Sequence, residues 1–277
     1  MIRLAIGCLL TCSAFAYAAP IVLPVYTVAM PVGSAELHRD TLLLHLPGIG
    51  GRRWTDNQMS LGFRDAGFTG ELQIYDWTGE SAGLGALRDY KRNQREAQKV
   101  ADYITERVHT QPNVHIILTG HSGGTGIAIW ALEKLAPDVK IDEVVLLASA
   151  LSPGYDLSKA LSHVRGNCYS FCSENDVLVL CTGTKLLGTI DGKKTEAAGN
   201  FGFIFPKTGD ARQYEKMIQK PYDKSWMELY GNLGDHMGCM TRPFAEKIIA
   251  PLFLPDVKPA DAGVKHHAGM PKAEGRS

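Results

Sequence analysis

The 277-residue sequence predicts an α/β architecture: a mainly parallel sheet with helices on both faces, in a single domain. Three observations predict it. Near-continuous apolar runs of five or six residues recur, as in strands buried on both faces. Stretches with three- and four-residue apolar spacing alternate with them, as in helices with one buried side. One apolar run ends directly in Gly120-His121-Ser122-Gly123-Gly124, and a helical pattern follows at once.

The first buried strand is Thr41 to Leu46 (TLLLHL), which stops at Pro47-Gly48. Thr55 or Asp56 is placed to cap a helix running to Ala66, with Gly67 as its stop. Glu71 to Trp77 is the next strand, and a long helix spans Leu84 to Val108. Leu84, Leu87, Ala97, Val100, Ala101, Ile104 and Val108 share one face of it, so the charged stretch Arg88 to Lys99 reads as a solvated side. Val114 to Thr119 is a strand, and Thr125 to Leu135 a helix ended by Pro137. Strands follow at Glu143 to Ala148 and Asn167 to Cys172. Helices at Arg212 to Gln219 and Pro243 to Ile249 close the fold. In such sheets ligands gather beyond the C-terminal strand ends, which is where chemistry is sought.

The two ends of the chain differ from its body. Met1-Ile2-Arg3, an apolar run from Leu4 to Ala16 and the Ala16-Tyr17-Ala18 site form a secretory signal pattern over 1–18. Cys12 after Leu9-Leu10-Thr11 is the alternative, a lipoprotein-type anchor that would make the protein peripheral to a membrane. Residues 255–277 lack apolar periodicity and read as a flexible tail, leaving 19–254 as the domain. Export puts Cys168, Cys172, Cys181 and Cys239 in an oxidising compartment as structural disulfides or buried thiols; no second close Cys/His pair completes a zinc site. With 29 basic and 29 acidic residues the chain has no bulk charge to favour nucleic acid, and none is expected as a partner.

Gly120-His121-Ser122-Gly123-Gly124 fits G-x-S-x-G in a strand-turn-helix setting. A serine there sits on a sharp turn with its hydroxyl above the sheet, and the glycines spare the collision of strand and helix. The Gly123 N–H, at the helix start, is placed to meet an oxyanion. Through this motif the sequence resembles the α/β-hydrolase superfamily over roughly 41–254. The resemblance implies an α/β-hydrolase fold and a triad in the order serine, acid, histidine: Ser122, then Asp176 with Glu174 as its alternative, then His236 in Gly234-Asp235-His236-Met237-Gly238. It also implies a second oxyanion donor after Pro47-Gly48, at Ile49 or Gly50. The expected reaction is hydrolysis of a carboxylic ester, or of a thioester, in a small-molecule or lipid substrate through an acyl-enzyme, with no metal or organic cofactor required.

Two other classes compete. Thr119 to Gly126 also fits T-G-x-x-x-G-x-G, and Tyr155 and Lys159 form a Y-x-x-x-K pair, as in short-chain dehydrogenases that use NAD(P). Only 29 residues separate Gly126 from Tyr155, about one βα unit, and two strands precede the glycines, which argues against it. A non-catalytic binding protein on the same fold is the other. The long stretch between acid and histidine, Gly183 to Tyr222, is expected to fold over the site and shape it with Phe201, Phe203 and Phe205; the competing reading is a surface insertion with a small core of its own.

Overall fold

A computed structural model describes residues 22–29, 40–176 and 188–254. The expected leader at 1–18, the tail at 255–277 and Cys181 lie outside the described residues.

Seven strands form one sheet among these residues: β1 (Val25–Thr27), β2 (Thr41–Leu46), β3 (Glu71–Tyr75), β4 (His115–His121), β5 (Glu143–Leu147), β6 (Cys168–Cys172) and β7 (Met217–Pro221). Their order is β1-β3-β2-β4-β5-β6-β7. All neighbours run parallel except β1, an antiparallel edge on β3. Leu46 lies beside Gly120 and His121 beside Leu147, so the C-terminal ends of β2, β4 and β5 align.

Strand side chains alternate between two cores. Leu42, Leu44, Leu46, Ile116, Leu118, Val144 and Leu146 face one side, against Ala97, Val100, Ile104 and Ile127. Leu43, Ile117, Val145 and Leu147 face the other, against Met59, Phe63, Phe244 and Ile249. The first set of helical residues comes from α3 (Tyr90–Thr110) and α4 (Gly123–Glu133). In the second, Met59 and Phe63 belong to α1 (Trp54–Asp65). A sheet apolar on both faces must be covered on both, which accounts for the three layers.

Four elements differ from expectation. The helix near 84–108 is two: α2 (Leu84–Arg88) ends at Asp89, whose carboxylate accepts the Arg92 N–H at 3.0 Å and starts α3 afresh. α1 begins at Trp54, earlier than a cap at Thr55 or Asp56 allows; Asp56 caps from inside, accepting the Arg53 N–H at 2.7 Å. The segment 212–219 is not one helix. A single turn, Ala211–Tyr214, is followed by β7, where Met217 packs against one core and Ile218 against the other, the period-two pattern of a strand. The helix at 243–249 is a short turn, Arg242–Phe244, continued by a π-helical turn, Ala245–Ile249.

Residues 183–187 of the stretch expected as a lid lie outside the described residues, and the described part is pinned elsewhere. Ile190, Ala198 and Gly199 N–H groups donate to the carbonyls of Ala150, Leu151 and Ser149, just past β5. Ile190 and Phe203 are buried in the first core, Phe205 packs edge-on against Tyr214 at 4.7 Å, and Phe201 is exposed. Burial of Ile190 and Phe203 in the core favours this placement.

Candidate active site

β4 delivers Ser122 to the turn before α4 in a backbone conformation rare for a residue with a side chain, φ 50° and ψ −120°. Such strain persists only where the surroundings hold it. Here the Ser122 N–H donates to the Leu147 carbonyl at 2.9 Å, and its own carbonyl accepts from Thr125. A Cβ on Gly120 would stand 2.9 Å from the Gly124 carbonyl carbon, and one on Gly124 would overlap the Leu46 carbonyl oxygen. The tight approach of β2, β4 and α4 therefore requires both glycines.

Asp176 follows β6 and is buried, 3% exposed. It accepts a hydrogen bond from His236 Nδ1 at 2.6 Å, so the structure brings these two together. Glu174 is exposed. His236 and Ser122 line one cavity of about 150 Å³ with Gly48, Ile49, Gly50, Arg53, Thr55, Asp56, His121 and Met237. No described residue of the stretch expected as a lid lines this cavity, Phe201, Phe203 and Phe205 included.

The loop after β2 is fixed on all sides. Trp77 Nε1 donates to the Pro47 carbonyl at 2.7 Å, the Gly83 N–H to that of Ile49, and the Arg52 N–H to Asp76. This holds the Ile49 nitrogen 3.5 Å from where a Cβ on Gly123 would stand, so the two expected donors are neighbours. Gly50 instead lies against the Arg53 guanidinium. The Gly123 N–H is the first of α4, with no helical carbonyl four residues before it.

Two buried histidines beside the cavity carry contacts that sequence spacing did not reveal. His121 Nε2–H donates to the backbone carbonyl of His236 at 2.9 Å, with ring centroids 4.9 Å apart. Burial pushes the His121 imidazole down to about 3, and neighbouring His236 adds to this, so His121 is neutral at ordinary pH. His45 Nε2–H donates to Asp56 at 2.9 Å, and its Nδ1 lies 2.8 Å from the Thr119 hydroxyl. Burial alone would raise the Asp56 carboxyl. The bond and charge of His45 and the Arg53 N–H outweigh it and hold the carboxyl below its ordinary range.

The Tyr155 hydroxyl donates to Glu133 and accepts from Trp130 Nε1 at 3.0 Å, and Tyr155 does not line the cavity at Ser122. Cys168, Cys172 and Cys239 are free thiols, all pushed up by burial, Cys168 to about 12 and Cys172 to about 11. Among the described residues no group of three or more His, Cys, Asp or Glu side chains is arranged to hold a metal ion.

No protein-family profile matches the chain, and no curated protein is similar to it in sequence. Solved structures similar to it include a lipase-esterase related protein from Clostridium acetobutylicum (TM-score 0.47, 13% identity, covering 83% of this chain and 97% of that one). Aspergillus fumigatus lipase B has a TM-score of 0.47 at 12% identity, covering 86% and 57% of the two chains. A dienelactone hydrolase from Anabaena variabilis has 0.43 at 16%, covering 83% and 94%. With TM-scores below 0.5, the fold assignment rests on the molecule itself. Six parallel-paired strands with an antiparallel edge, helices on both faces, and a strained serine on the turn from a central strand into a buried helix together make this chain an α/β-hydrolase fold.

Proposed function

We propose that the protein is a serine hydrolase that cleaves a carboxylic ester through Ser122, His236 and Asp176. The observation that carries this reading is that His236, bonded to Asp176 at 2.6 Å, lines one cavity with a strained Ser122. In the proposed reaction His236 takes the Ser122 proton as the oxygen attacks the carbonyl. Asp176 holds the imidazole tautomer and stabilises the imidazolium. The N–H groups of Ile49 and Gly123 receive the tetrahedral oxyanion, and water then resolves the acyl-enzyme.

A fluorophosphonate probe tests this on the full chain. The expected outcome is labelling that maps to Ser122 and disappears in Ser122→Ala, with ester turnover falling by about 10⁴-fold or more. Folded protein that neither labels nor turns over would favour the binding-protein alternative, and saturable NAD(P)H binding the oxidoreductase. We also propose export directed by the leader pattern at 1–18. A mature N-terminus at Ala19 is expected by mass spectrometry, and a diacylated Cys12 would replace export with membrane anchoring.

A further inference from the structure

A second depression borders the cavity at Ser122. It has a volume of about 360 Å³ and shares Thr55 and Met237 with that cavity. Its walls are the start of α1, with Trp54 and Gln58, and the loop before His236, with Leu233; Met240 and Pro243 also line it, and Asp235 and Arg242 are its charged members. Trp54 is 71% exposed and Leu233 56%, although both are large and apolar. Water-exposed apolar walls running up to a reactive serine fit an apolar ligand part that covers them.

The side on which the groove opens decides which part. Met237, which lines both the cavity and the groove, directly follows His236, so a chain that enters the groove passes beside the histidine. We propose that this groove is the leaving-group subsite and that the substrate is an ester of an alcohol bearing an apolar chain. This rests on the ester-hydrolase reading above. In acylation the Ser122 oxygen bonds to the carbonyl carbon, and the bond from that carbon to the alcohol oxygen breaks. The departing oxygen takes the proton that His236 received from Ser122. That oxygen must therefore lie within hydrogen-bond reach of the imidazole, and the chain attached to it points along Met237 into the groove. The acyl part lies on the opposite side and stays behind on the serine.

Two series of esters test the assignment on the full chain: alkyl acetates from ethyl to octyl, and p-nitrophenyl esters from acetyl to octanoyl. In the alcohol series kcat/KM is expected to rise by up to about fourfold per methylene. Leu233→Ser and Trp54→Ser flatten that slope, while the slope against acyl length keeps its wild-type value. Flattening of the acyl slope instead would overturn the assignment. A binding measurement needs no turnover. The other tryptophans, Trp77, Trp130 and Trp226, are buried, so a saturable blue shift of emission on titrating 1-octanol, weaker with 1-butanol and lost in Trp54→Phe, supports the groove. No shift with alkanols, or a shift only with phosphatidylcholine vesicles, overturns it; the latter marks a surface that docks on lipid. Missing fluorophosphonate labelling at Ser122 would remove the hydrolase reading separately, with the octanol titration still deciding the groove.

Discussion

Ser122, Asp176 and His236 lie up to 114 residues apart, yet one side chain at the end of the strand before the serine ties two of their loops together. His121 follows Gly120 on β4 and reaches the carbonyl of His236, so the strand that leads into Ser122 carries the brace for the histidine loop. Because Nε2 must carry the proton to donate there, the brace needs a neutral or charged His121 but never the other neutral tautomer. His121→Phe keeps a ring but removes the donor. It is expected to lower kcat by about 10- to 100-fold through misplacement of His236, with KM little changed, and His121→Gln to restore part of it. The same burial makes a pH prediction. The folded state keeps His121 unprotonated down to about 3, whereas the unfolded chain binds a proton below its ordinary value of 6.5. The unfolded state therefore binds more protons throughout that window, and stability falls as pH falls through it. Between pH 7 and pH 5 urea unfolding should show a loss of about 2 kcal/mol that His121→Gln lacks. Equal losses in both proteins would show that His121 is not the group responsible. The three candidate residues were legible in the sequence because strand order fixes where each is placed. It showed His121 only as the variable position of a motif, since its partner lies 115 residues away and contacts of that range leave no periodic trace.

At the scale of elements, β2 and α1 meet through one buried pair. Asp56 accepts from His45 on the strand and from the Arg53 N–H at the helix start, so a single carboxylate caps α1 and fixes its entry angle beside the cavity. Asp56→Ala removes the cap and leaves the His45 Nε2–H buried without a partner, an expected loss of about 2–4 kcal/mol by urea denaturation. Asp56→Asn keeps an acceptor for either donor and should cost about 1 kcal/mol. If both variants cost the same, charge rather than hydrogen bonding holds the joint. The approach of α4 to β2 is stricter still, because a methyl on Gly124 meets backbone carbonyls that cannot rotate away. Gly124→Ala is expected to cost about 2–3 kcal/mol and to slow fluorophosphonate labelling, since Leu46 and Pro47 carry the loop at Ile49. These joints were partly readable. The glycines announced a close approach, and the apolar runs of β2, β4 and β5 announced strands buried on both faces. β7 was not legible: Met217-Ile218-Gln219-Lys220-Pro221 is half-buried at an edge, where lysine and proline guard against further pairing and break the strand signal. The interruption at Asp89 was hidden for another reason: apolar spacing continues across it, and only the cap marks a new helix.

At the scale of the whole molecule, the two cores are separated by a sheet that belongs to both. Each central strand sends alternate side chains into opposite layers, so neither layer can open without loosening the strands that support the other. Two thiols sit where this can be measured. Cys168, on β6, is buried in one core, and Cys239, just after the histidine loop, is buried in the other. Both thiols are pushed up by burial, which disfavours the reactive thiolate, so in the folded state neither should react with a disulfide reagent at pH 8. Modification must then wait for opening, and its dependence on urea reports how much surface that opening exposes. If the sheet couples the layers, mass-spectrometric quantification of Cys168 and Cys239 should give the same steep urea dependence, equal to that of global unfolding. A shallow dependence for Cys239 alone would mean that the layer formed by α1 and the C-terminal turns opens by itself. Because Asp176 and His236 border that layer, such an opening would dismantle the proposed catalytic pair while leaving Ser122 folded, and fluorophosphonate labelling would fall at urea concentrations too low to expose Cys168.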